Sequence, residues 1–123
     1  MWHILIVTDR KALLEGVFTP LEDQRRCTIQ WCDSPQAAAG AVGRRRPDLA
    51  VIDRQVSGQD GLALCRDLLR FDAFVNLAQV SDLDDESFHE FSEGLGLVGR
   101  LPETPTPADV NRLLEQLAQI SPP

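Results

Sequence analysis

With 123 residues, 43% of them hydrophobic and 25% charged, the chain has the make-up of one soluble domain able to bury an apolar core. A formal net charge of -7 argues against general nucleic-acid binding. The apolar runs, such as Ile4 to Val7, are strand-length, which argues against a membrane span or a secretory leader, so a cytoplasmic protein is expected.

Strand-like and helix-like segments alternate along the chain. His3 to Val7 is an apolar run ending in the polar pair Thr8–Asp9 and predicts a first strand. From about Lys11 to Glu22, Leu13, Leu14, Val17, Phe18 and Leu21 recur at helical spacing. Thr28 to Trp31 predicts a second strand. Ser34 is a natural cap for a helix with Pro35 at its first position, continuing through alanines to Arg44, Arg45 and Arg46. Those arginines read as a basic helix end, complementing the helix dipole, before Pro47 breaks the run.

Leu49 to Ile52 predicts the third strand, ending at Asp53. Asp60 then caps a helix carrying Leu62, Leu64, Cys65, Leu68 and Leu69. Val75 to Val80 predicts a fourth strand, weakened by Asn76 and Gln79. Asp84, Asp85 and Glu86 suit the start of a helix bearing Phe88 and Phe91. Leu95 to Leu101 predicts a fifth strand, loosened by Gly96 and Gly99. Thr106–Pro107 opens a last helix with Val110, Leu113, Leu114, Leu117 and Ile120 on one face. The sum is an α/β domain with a parallel sheet covered on both faces, spanning residues 1–123, with Ser121–Pro122–Pro123 as a tail or the start of a linker.

In such sheets ligands gather at the carboxyl ends of the strands. The polar residues falling there are Thr8, Asp9, Asp53, Ser81 and Asp82. Two carboxylates and a hydroxyl arriving from separate strands suit a hard cation and a phosphoryl group. Cys27, Cys32 and Cys65 show no CxxC or zinc-finger spacing and, with only His3 and His89 beside them, predict reduced thiols and no zinc site.

The stretch from Pro47 through Asp53 to Asp60, Gly61 and Cys65 resembles the third strand and following loop of response-regulator receiver domains of two-component signalling. That family carries a phosphoacceptor aspartate at the strand end and an Asp–Gly pair seven residues on, which Asp53 and Asp60–Gly61 match. The resemblance runs from about His3 to Ile120 and implies a flavodoxin-like, doubly wound (βα)5 fold with a five-stranded parallel sheet in the order 2-1-3-4-5. It implies Asp53 as phosphoacceptor and Ser81 as the hydroxyl that bonds a phosphoryl oxygen. Magnesium would be held weakly by Asp9, Asp53 and the backbone carbonyl of Gln55, with Thr8 holding a water near it. A histidine kinase or phosphotransfer protein is the implied partner.

The departures are specific. Thr8 stands where the family has the first acid of its pair, Leu101 where it has a lysine, Val98 where it has an aromatic switch residue, and Ser57 where it has a loop proline. A leucine cannot neutralise phosphoryl charge, and strand alternation turns the adjacent Arg100 to the other face. Arg10 and Arg54 adjoin the acids and either could fold over the pocket as a fixed cation, although solvated side chains are the expected state. Two functions therefore stand side by side. One is a regulatory, non-enzymatic receiver that accepts a phosphoryl group on Asp53 with impaired chemistry. The other is a phosphorylation-independent pseudo-receiver that binds or dimerises through its fourth and fifth strand-helix units. A flavin-binding flavodoxin shares the architecture, but Thr8 to Ala12 lacks the glycine of a phosphate loop.

Overall fold

A computed structural model describes all 123 residues. Its elements in chain order are β1 (Trp2–Val7), α1 (Lys11–Asp23), β2 (Cys27–Cys32), α2 (Pro35–Arg44), β3 (Leu49–Ile52), β4 (Gln55–Val56), β5 (Gln59–Asp60), α3 (Gly61–Phe71), β6 (Leu77–Val80), α4 (Asp85–Ser92), β7 (Gly99–Leu101) and α5 (Pro107–Ala118). Five strands form one parallel sheet in the order β2-β1-β3-β6-β7. Renumbered by their βα units, this is the 2-1-3-4-5 order expected from the sequence. No helix is long and apolar enough to cross a membrane.

Strand periodicity divides the core into two layers. Ile4 and Ile6 of β1, Leu49 and Val51 of β3, Val80 of β6 and Leu101 of β7 face α1 and α5. Leu5 and Val7, Ala50 and Ile52, and Leu77 face the other way, towards α2 and α3. Because both faces of the inner strands are covered, β1, β3 and β6 are buried along their whole length, and near-continuous apolar runs replace alternation.

Side chains named by the sequence start four of the helices. Ser34, Asp60, Asp84 and Thr106 each accept a hydrogen bond from a backbone amide of the first turn. Thr106 and Asp109 complete a reciprocal capping box. The pairing of Asp60 with glycine has a separate cause. A Cβ on Gly61 would collide with the carbonyl oxygen of Asp53 and lie 2.9 Å from that of Arg54, so the third strand and α3 meet at a point where only glycine fits.

Several boundaries differ from expectation. β6 begins at Leu77 because Val75 closes a turn onto Asp72 and the Asn76 side chain bonds the Asp48 carbonyl. β7 is three residues long, because Gly94 (φ 83°) and Gly96 (φ 64°) bend the backbone through left-handed conformations before the sheet is reached. Helix α2 ends at Arg44, with Arg45 extended, so the arginine run is mostly outside the helix. Leu13 and Ile120 are exposed and do not join the buried faces of α1 and α5. A small antiparallel hairpin, β4–β5, adds a second sheet beside the site. Its turn residues Ser57 (φ 50°) and Gly58 (φ 80°) both take positive φ, as a type I′ turn requires.

Candidate functional site

Asp53 lies at the carboxyl end of β3 with only 1% of its surface exposed, and its carboxylate is fully engaged. Thr8 donates its hydroxyl to Oδ2 at 2.6 Å. The Arg10 guanidinium closes a fork over both oxygens, with Nε 2.8 Å from Oδ2 and Nη2 2.8 Å from Oδ1. The backbone amide of Arg54 donates to Oδ1 at 2.7 Å. Burial disfavours the charged carboxylate, but the hydrogen bonds from Arg10, Thr8 and the Arg54 amide outweigh it and hold Asp53 below the usual carboxylate range. The same bond to Asp53 raises Arg10 above its ordinary value.

Local structure explains why Arg10 reaches inward. It sits at the start of α1, where its amide bonds the Thr8 hydroxyl at 2.8 Å, so one threonine positions both the arginine backbone and the acid. Arg10 Nη2 also donates to the Glu103 carbonyl at 3.1 Å, tying the loop after β7 to the cap. A bidentate arginine–carboxylate pair adds geometric constraint as well as charge. The solvated state expected for Arg10 is therefore corrected: a buried acid within reach of a guanidinium is a stronger partner than water. Arg54 behaves differently. It stays on the rim, 3.3 Å from Glu103 and 3.8 Å from Asp82, with all three side chains substantially exposed.

The other residues named from the sequence are dispersed. Asp9 is exposed, and its carboxylate accepts the Ser57 amide at 3.1 Å, which fastens the β4–β5 hairpin. The Ser57 hydroxyl donates to the Asp33 carbonyl at 2.7 Å, completing that attachment. Gln55 is exposed in β4 and pairs with Asp60. Ser81 is buried, but its hydroxyl accepts the Leu83 amide at 3.1 Å. Leu101 is fully buried against α5, and Arg100 lies on the opposite face, bonding the Leu83 carbonyl and Asp85 and lying 5.4 Å from the Phe88 ring. Glu103 was missed by sequence reasoning, since nothing local marks a residue whose main chain serves a side chain 93 positions away.

These residues do not fit a magnesium ion. Thr8 supplies a hydroxyl in place of a carboxylate, both Asp53 oxygens carry the guanidinium, and Asp9 is committed to a backbone amide. No group of three or more His, Cys, Asp or Glu side chains assembles to hold a metal.

The sequence pattern of the response regulator receiver domain matches residues 4–115. The chain belongs to the response regulator receiver family. Solved structures agree on the fold of this receiver. A two-component response regulator of the LuxR family from Aurantimonas sp. SI85-9A1 is 19% identical with a TM-score of 0.82, covering 97% of this chain and 86% of that one. The receiver domain of NtrX from Brucella abortus is 19% identical with a TM-score of 0.81, covering 96% and 99%. The chemotaxis response regulator CheY4 of Vibrio cholerae is 15% identical with a TM-score of 0.81, covering 95% and 98%. Among curated proteins no sequence match is found. Receivers are regulatory domains that interact with histidine kinases or phosphotransfer proteins, and they generally bind magnesium at the phosphorylation site.

Proposed function

We propose that this receiver works as a phosphorylation-independent interaction module, with Arg10 taking the place of the cation that the family's chemistry requires. The observation that carries the reading is the saturated Asp53 carboxylate, which receives four donors from three residues and is sealed from solvent. A nucleophile must present a lone pair to the incoming phosphorus, and here both oxygens are directed at protein groups. The cap also supplies the charge that Leu101 cannot, and it joins β1, β3 and the loop after β7 in one arrangement. In this reading Asp53, Thr8 and Arg10 hold the fold, Ser81 shapes the turn into α4, and the signal passes through the surface presented to a partner protein.

A second reading keeps Asp53 as a slow phosphoacceptor. It is favoured by the ionised state of the carboxylate and by Arg10, whose side chain is 30% exposed and could swing outwards. Magnesium titration with and without beryllofluoride, followed by calorimetry and by Trp2 and Trp31 fluorescence, separates the two. The first reading expects no saturable binding and no phosphoryl mass on the protein after acetyl phosphate with millimolar magnesium. Asp53-dependent binding and labelling, lost in Asp53→Asn, would establish the second.

A further inference from the structure

We propose that copies of this chain associate head to tail, a basic aromatic patch at the ends of α2 and α3 on one copy receiving the acidic face of α4 on the next. The patch is built, not incidental. Phe71 and Phe74, three residues apart at the end of α3, are 58% and 80% exposed, unusual for large apolar side chains. The Phe71 ring lies against Gly43, where an added Cβ would come within 3.1 Å of it. Arg46 grips Asp72 through two bonds of 2.6 and 3.1 Å and lies 5.8 Å from the Phe74 ring, while the Phe74 amide bonds the same Asp72 at 3.0 Å. The aromatic pair is thus pre-positioned, which reduces the ordering needed on binding. Arg44 and Arg45, beside it, are exposed and have no acidic partner.

The complement is on the same molecule. Glu86, Glu90 and Glu93 recur on one stripe of α4 and its end, all exposed and none in an ion pair. In a chain of net charge -7 most approaches of two copies are repulsive, so the contact joining arginines to this glutamate stripe is the one electrostatics selects. Two different surfaces meeting make a heterologous contact, which extends copy by copy and does not close into a symmetric pair.

Sedimentation of the whole chain tests this. The average mass should rise above 13.7 kDa with concentration and fall with added salt. Phe74→Ser breaks the patch and Glu86→Lys with Glu90→Lys breaks the stripe, each at exposed positions that leave the fold intact. Either should weaken association by about tenfold or more, the effect of removing a central interface side chain. Mixing the two variants should give a dimer that grows no further, because each keeps one working surface. A chain that stays monomeric, association that survives both changes, or a mixture that forms no dimer would each overturn the proposal.

Discussion

The two halves of the sheet are built differently. At the ends of β1 and β3 the polar groups are bound to one another: Thr8, Arg10, Asp53 and the Arg54 amide form one set. On the β6–β7 side the edge strand β7 has three residues, two of them only partly buried, α4 has eight, and a groove of about 550 Å³ opens between Ser81, Arg100, Glu103 and Arg112. Arg100 crosses that groove as a strut from β7 to the start of α4. The contrast teaches that the polar site is closed by its own side chains, whereas the open groove lies towards β7, the edge strand furthest from β2.

Equal truncations in the two halves should show it most strongly. Leu5, fully buried in β1, and Leu97, half-buried before β7, pack into the same apolar layer. Leu5→Ala should cost about 3–5 kcal/mol of stability, as cavity-forming changes do. Leu97→Ala should cost about 1 kcal/mol, in proportion to its smaller burial. Urea unfolding of both variants checks the ratio, and equal losses would erase the distinction between the halves.

Arg10→Ala comes next. It leaves a buried carboxylate with Thr8 and one amide as donors, and about 2–3 kcal/mol should be lost, less than for a fully buried pair because Arg10 is 30% exposed. The Asp53 carboxyl should then titrate higher, since burial is opposed by fewer bonds. NMR titration of that carboxyl reads the change, and an unchanged midpoint would mean the fork contributes little.

The smallest effect lies in acid. Asp53 is depressed in the folded state, so its contribution to stability is complete above the unfolded carboxylate value of about 3.9 and is lost as pH falls through the lower folded value. Asp53→Asn removes this acid-labile share. The difference in stability between wild type and variant should therefore shrink as the pH drops below about 4, in the order given by linkage. Denaturant midpoints across that range test it, and a difference independent of pH would show that the pair is not the source.

Much of this was legible beforehand because its causes are local. Ser34, Asp60, Asp84 and Thr106 cap helices through bonds to amides three residues on, a relation that spacing alone expresses. The Ser57–Gly58 pair carried the signal of the β4–β5 turn, but flanking segments of two residues are too short to show a period, so the hairpin escaped notice. Val75 and Leu95 are apolar and their sequence context predicts strands, although one lies in a turn and the other follows a helix end. Apolar character marks burial, and backbone pairing is decided by neighbours distant in sequence.

The site divides along the same line. The order of strands and helices, and the placing of Thr8, Asp9, Asp53 and Ser81 near strand ends, followed from periodicity and breaks in it. Where Arg10 would go did not. Its long side chain has Asp9, Asp53 and Glu103 near it, and sequence ranks none of these partners above the others. Tertiary packing does, by burying Asp53 almost completely while leaving Asp9 exposed, so that one carboxylate needs a cation and the other stays open to solvent with an amide as its protein partner.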